Sequence, residues 1–469
     1  MRSLLWFKQD LRLHDHPALQ VGLASGCLLP VFVLDPALLQ VNEFGCRRMG
    51  VHRARFLLES LAALDSGLRK RGSHLLVLPG APEQVIVQLV DKFELDQVLT
   101  LEEIAPDERA QIAHVQRQLK GVPLLQYAGN GLLRGDELPC PLEQLPQVFS
   151  QFREQVEARL TVFQPHPLPS QIPPLPDGAE ALLQELPNLS QLGLGEPSSV
   201  PASAFPFAGG EMSALSRLRD YLWTSQAVRS YQETRNGLIG SEYSSKFSPW
   251  LANGCLSVRR IAAELRRHEA QFGRNDSTQG LWTEMLRRDF FRWTLLRHGS
   301  ALFKANGLKA TQGSPTQVDR RFRDWCQGST GMPLVDANMR ELAATGFMSN
   351  RGRQIVASYL IHDLQQDWRH GAAWFEEHLL DYDPASNWGN WVSMAGINNG
   401  SKQPFNTLRQ AHECDPDAAY VSLWLPELQG IARHLRHTPF LLGAQLQGIG
   451  YPQLERIPES WKPYLPHAA

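Results

Sequence analysis

At roughly 150 residues per domain, the 469 residues predict two or three domains, and 43% hydrophobic with 20% charged residues excludes a disordered or collagen-like chain. The net charge of −2 hides an acidic first half (17 Lys+Arg against 23 Asp+Glu in 1–206) and a basic second half (29 against 25). Six scattered cysteines without CxxC fit a reducing compartment. Lys8, Asp10 and Arg12 interrupt the start before any stretch of signal-peptide length, and no apolar run reaches the 18 or so residues of a membrane span. The expectation is a soluble, cytoplasmic protein.

In chain order, the apolar runs 4–7, 28–34, 75–78, 97–101 and 123–127 predict strands. Helical periodicity at about 47–71, 82–93 and 107–120 lies between them. That alternation predicts an α/β, Rossmann-like parallel sheet covered by helices, over residues 1–130. Residues 131–206 predict an interdomain linker. Its stretch 164–206 holds ten prolines and no lysine or arginine, with one short helix near 179–186. Residues 207–469 predict an all-α domain with helices at 211–227, 257–270, 280–298, 334–345, 350–369 and 371–380. Eleven of the twelve tryptophans fall there, which suits either a large packed core or a bound aromatic cofactor.

GxGxxG, GxxxxGK[ST], HExxH, GxSxG and EF-hand patterns are absent, which argues against ordinary dehydrogenase, NTPase, zinc-protease and hydrolase readings. The polar chemistry lies in the second half. Ser244, Ser245, Lys246 and Ser248 precede a helix, where backbone N–H groups can hold phosphate or serines can simply cap. Glu284, Arg287 and Arg288 share a helical turn, suited to intrahelical pairing or to a site. Asn350 and Arg353, three apart on a helix, face the same way. The segment DYDPASNWGNW (381–391) is expected to be a turn-rich loop that presents Asp381, Asp383 and Asn387 to a ligand or metal, or only caps helices. Residues 259–323 carry 14 basic and 6 acidic residues, either an attractor of polyanions or a solvated helix face.

Taken together, LLWFKQDLRLHDHPAL, LPCPLEQLPQVFSQFREQVE, TRNGLIGSEYSSKFSPWLANGCLS, DANMRELAATGFMSNRGRQ and LLDYDPASNWGNW with YVSLWLPEL resemble the photolyase/cryptochrome family, most of all its DASH branch. The resemblance spans nearly the whole chain. It implies FAD in the helical domain rather than on the sheet, with no metal. Tyr231, Ser244, Ser245, Lys246, Phe247 and Ser248 match the ribityl–phosphate positions. Asn350 and Arg353 match a pair beside the ring, while Glu284 and Arg288 also border the cofactor. Asp381 and Asp383 match acids that bond the isoalloxazine and adenosine portions, and Asn387 faces flavin N5. Trp391 and Trp368 match the inner members of a tryptophan chain that reduces the flavin after excitation.

The outer tryptophan, expected near Pro315, is missing, and Trp325 is a substitute. Two further departures concern the lesion pocket: Arg287 and Ser393 stand where the family usually stacks aromatic rings, whereas Gln354 keeps the DASH pattern. The resemblance therefore implies a blue-light flavoprotein, either a lyase or a photoreceptor. As a lyase it would repair cyclobutane pyrimidine dimers in single-stranded DNA, with Glu284 bonding the dimer. As a non-repairing photoreceptor it would signal through a partner or weak nucleic-acid binding. An FAD-binding redox protein is a third reading. A methenyltetrahydrofolate antenna is expected, with Glu102 or Glu103 as a contact.

Overall fold

The computed structural model describes residues 1–159, 164–197, 205–309, 318–398 and 404–465. Five strands form one parallel sheet: β1 (Arg2–Phe7), β2 (Cys27–Leu34), β3 (Leu76–Pro79), β4 (Gln97–Leu101) and β5 (Leu124–Tyr127), in the order β3-β2-β1-β4-β5. β1 pairs in register Arg2↔Cys27 to Phe7↔Phe32. These strands are nearly continuous apolar runs because both sheet faces are covered. Successive side chains point to opposite faces, so Leu4 and Trp6 enter one core while Leu5 and Phe7 enter another. The helices of this half are α1 (Pro17–Gly22), α2 (Val51–Arg69), α3 (Pro82–Phe93) and α4 (Pro106–Gln118). α1, α3 and α4 each begin with proline, whose fixed φ and missing N–H suit the first helical turn.

The connecting stretch includes α5 (Phe149–Glu157) and then runs extended over the sheet half, where Leu28 donates to the Pro174 carbonyl and Ile172 to that of Arg71. The second half is helical: α6 (Glu211–Arg219), α7 (Tyr231–Thr234), α8 (Ser248–Ala252), α9 (Val258–Phe272), α10 (Asp276–His298), α11 (Arg320–Gln327), α12 (Pro333–Thr345), α13 (Asn350–Ser358), α14 (Trp368–His378), α15 (Pro384–Met394), α16 (Thr407–Cys414) and α17 (Ala419–Trp424). One apolar core is shared by both halves, joining Phe7 and Phe56 to Trp250 and Trp282. Buried Arg12 fastens the seam, donating to the carbonyls of Asp15, Gly129 and Gly254 and to Asn130 Oδ1.

Two expectations need correction. The segment 381–391 is not a turn-rich loop: Asp383 caps α15, accepting from the Ser386 amide at 2.7 Å, and Pro384 is its first residue. The expected helix 350–369 ends at Ser358 in a π-type turn, Tyr359–Asp363, and the chain reverses through Gln365 at φ +53° before α14 starts at Trp368.

Candidate functional site: a cavity between α13, α14 and α15

Six of the expected site residues converge. Asn350, Arg353 and Gln354 from α13, Asp381 just ahead of α15, and Asn387 and Trp391 from α15 line one cavity with about 560 Å³ of empty space, part of it open to solvent. Ala357, Phe375, Leu379, Tyr382, Ser386, Asn390 and Met394 complete its wall. Reading α15 as a helix would have found Asn390, which lies one turn beyond Ser386 and Asn387.

The polar groups inside are oriented. Arg353 donates from Nη2 to Asp381 Oδ2 at 2.8 Å and from Nε to the Met348 carbonyl. Asp381 Oδ1, by contrast, is buried without a hydrogen-bond partner. A buried carboxylate oxygen left unsatisfied costs about 1–3 kcal/mol, so it is poised to accept from a ligand N–H. The Asn387 amide nitrogen donates to the Ala372 carbonyl at 3.0 Å. One N–H of that amide is thereby engaged, which leaves the side-chain oxygen and the second N–H for a ligand.

The segment that carries Lys246 meets Arg353 of this cavity at a shared aromatic ring. The Phe347 ring has the Arg353 guanidinium at 5.4 Å on its centroid and the Lys246 ammonium at 4.9 Å. Lys246 is buried at φ +61° against the Tyr243 ring, in a small cavity shared with Glu341. Burial holds its ammonium well below the usual lysine range. Burial also raises the Glu341 carboxyl to about 7, although the Tyr420 hydroxyl donates to it at 2.6 Å. Arg217 organises the loop by donating to the carbonyls of Ser241, Ser244 and Ser245. Phe247 is buried against Tyr221, and Ser248 opens α8. Tyr231 is buried in α7, and burial raises its phenol.

Other expected residues lie outside the ring cavity. Glu284 sits between Arg235 and Arg287, both at 3.3 Å. Arg287 also lies over the Phe149 ring, 4.4 Å from its centroid. Ser393 accepts from Asn398 at 2.7 Å. Arg288 donates to the carbonyls of Asn130 and Leu251, and burial lowers it to about 10. Trp325 contacts Trp391, whereas Trp368 contacts Trp388. The position near Pro315 falls outside the described residues.

Half of the fourteen cations in 259–323 are engaged in internal ion pairs. Arg259, Arg260, Arg266, Arg267, Arg287, Arg320 and Arg321 are paired with Glu137, Glu264, Glu269, Glu264, Glu284, Asp324 and Asp319 respectively. The fourteen cations therefore do not form a free basic face.

Near the sheet, Glu103 pairs with Lys8 at 3.7 Å, and burial lifts its carboxyl to about 7. It lines an inner cavity with Trp6, Arg48, Arg53 and Tyr382. With Glu102 it also lines an outer groove beside Arg109, Arg292 and Trp293. The Trp293 indole N–H is buried without a partner.

A five-stranded parallel-sheet half joined to a helical half, with polar side chains gathered in a cavity between α13, α14 and α15, is the architecture of a photolyase-like, FAD-binding class of protein, and comparison with known chains agrees. Residues 3–174 match the DNA photolyase family, and residues 281–456 match the FAD binding domain of DNA photolyase. The chain is 44% identical over 463 residues to Cryptochrome DASH of Gloeobacter violaceus, covering 96% of this chain and 92% of that protein. It is 41% identical over 465 residues to Cryptochrome DASH of a Synechocystis species, covering 96% and 94%. A solved Synechocystis cryptochrome superposes with TM-score 0.91 at 40% identity, over 97% of this chain and 96% of that one. A bacterial class III photolyase from Agrobacterium tumefaciens superposes with TM-score 0.80 at 27% identity, over 99% and 94%. The chain belongs to the photolyase/cryptochrome family, on its DASH-type cryptochrome branch.

Proposed function

We propose that this protein is a blue-light FAD flavoprotein of DASH type whose capacity to split cyclobutane pyrimidine dimers in single-stranded DNA is weakened at the lesion pocket. The observation that carries the cofactor site is the orphaned Oδ1 of Asp381, a residue that lines one cavity with Arg353, Asn350, Asn387 and Trp391. FAD would supply light absorption and one-electron chemistry. Asp381 would accept a ring N–H, Arg353 would hold Asp381 in place, and Asn387 would offer a neutral amide that does not repel a reduced ring. Ser244, Ser245, Lys246, Phe247 and Ser248, with Tyr231, would hold the ribityl–phosphate portion, and Asp383 the adenosine side. Trp391 would be the first electron donor. Trp391→Phe should strongly slow light-driven flavin reduction, and unchanged photoreduction would sink that assignment.

The weakened repair rests on Arg287 and Ser393. Photolyases are themselves type cases of base flipping, and a single-stranded substrate lowers the flipping cost. A flipped base gains about 1–3 kcal/mol from stacking on an aromatic ring. Neither Arg287, engaged by Glu284 and Phe149, nor Ser393, engaged by Asn398, offers such a ring. Gln354 and Asn350 remain as polar contacts in the cavity, and Glu284 as a proton or dipole donor to the dimer. The same two departures favour the second reading, a blue-light photoreceptor without repair turnover. A repair assay on dimer-bearing single strands separates the two readings.

An antenna of methenyltetrahydrofolate type is proposed at Glu102 and Glu103, where the unpartnered Trp293 N–H offers a further donor. Extraction of a folate chromophore from native protein, and its loss in Glu103→Ala, would test this.

A further inference from the structure

The tryptophans do not lie in single file. The Trp325 ring centroid is 6.4 Å from that of Trp391, at 72°. Phe375 completes a triangle, 5.2 Å from Trp391 and 6.2 Å from Trp325. Trp368 instead packs on Trp388 at 5.7 Å, and its N–H donates to the Ala305 carbonyl. Among the described residues, Trp368 and Trp391 share no ring contact. The tip of Trp391 reaches α14 at Gly371, one turn beyond Trp368.

Electron exchange between indoles falls steeply with separation, so a ring in contact with Trp391 is a favoured donor to it. The surroundings of Trp325 also suit a positive charge. It is fully buried and sandwiched between Phe322 and Phe375, near-parallel to both at 20° and 18°. Aromatic faces are electron-rich and attract a cation. Its N–H donates to the Val356 carbonyl at 3.0 Å. A backbone carbonyl is not a base for an indole proton, so an oxidised Trp325 would keep its proton.

We propose that Trp325 donates an electron directly to oxidised Trp391, in parallel with Trp368 rather than after it. This rests on the reading that illumination oxidises Trp391. One electron leaves Trp325 and fills the vacancy at Trp391; no bond breaks and no proton moves. Trp325 stays one electron short until an added thiol reductant refills it.

The test uses FAD-loaded full-length protein and follows indole radical absorbance after a blue flash in wild type, Trp368→Phe, Trp325→Phe and the double variant. A radical should persist in Trp368→Phe, in its protonated form, and be lost in the double variant; such a cycle isolates parallel routes. Photo-induced nuclear polarisation of ¹³C-labelled tryptophan in wild type names the oxidised indole without any substitution, so poor folding of Trp325→Phe leaves the proposal testable. Polarisation of the Trp325 resonance is expected. A wild-type radical that vanishes in Trp368→Phe, with no Trp325 polarisation, would overturn the parallel role alone. No indole radical in flavin-loaded wild type would overturn the photoreduction reading beneath it.

Discussion

Replacing Asp381 with Asn keeps the side chain's shape and removes its charge. The carboxylate uses Oδ2 for Arg353 at 2.8 Å and leaves Oδ1 buried and unpaired, on a residue that lines the cavity. In the variant, the amide oxygen can still accept from Arg353, which turns an NH₂ donor toward the cavity. A ligand N–H would then meet a donor instead of an anionic acceptor. Hydrogen bonds to charged groups contribute about 1.5–3 kcal/mol, so FAD affinity should fall roughly 10- to 150-fold. Without ligand the balance differs, because the exchange removes a buried charge with an unsatisfied oxygen. The flavin-free variant should therefore unfold within about 1 kcal/mol of wild type. Flavin fluorescence titration of stripped protein, paired with denaturant unfolding of the same samples, reads both quantities. Unchanged FAD affinity in a well-folded Asp381→Asn protein would show that this oxygen does not face the cofactor.

Three further outcomes follow from single features. A Cβ on Gly371 would lie 2.4 Å from Trp391 Cη2 and 2.6 Å from Leu360 Cδ2, so Gly371→Ala should cost about 1–3 kcal/mol by overpacking; a lower melting midpoint with reduced flavin content would show it, and an unchanged protein would contradict it. Burial raises Glu341 to about 7, so the folded state holds its proton more tightly than the unfolded chain does. That stabilisation is complete below the ordinary glutamate range and is lost as pH rises through about 7, about 3 kcal/mol in all. Glu341→Gln, which can still accept from Tyr420, should flatten this loss in unfolding measured from pH 5 to 8. Finally, single-stranded DNA binding should weaken with salt at roughly 0.7 logarithmic units per phosphate neutralised. Because most of the arginines in 259–323 are paired internally, a slope near 10, as fourteen free cations would give, would refute the pairing seen here.

The sheet was legible because buried parallel strands read as unbroken apolar runs, and α3 was legible to the residue from its Pro82 start and the spacing of Ile86, Leu89, Val90 and Phe93. The same start signal was misread at 381–391, where Pro384 and Gly389 suggested turns. In fact Asp383 and Pro384 open a helix, and Gly389 gives Phe291 room to approach. That Asn350, Arg353, Gln354, Asp381, Asn387 and Trp391 belong together was suggested by the family motifs, and the structure brings them to one cavity. What no local pattern carried was contact between distant elements. The Glu284 position between two arginines, the Trp325–Trp391 contact and the place of Tyr382 between the inner cavity and the ring cavity all depend on how helices far apart in sequence pack.

Light-driven splitting of one thymine dimer in a single-stranded oligonucleotide, at saturating FAD-loaded and reduced protein, addresses the proposed function most directly. Intact and dimer-bearing strands should bind with similar affinity, splitting should be slow or absent in wild type, and Arg287→Trp with Ser393→Tyr should improve both dimer preference and yield. Strong native preference for the dimer with efficient splitting, and no gain in the double variant, would contradict the weakened lesion pocket and place this protein among the repair enzymes.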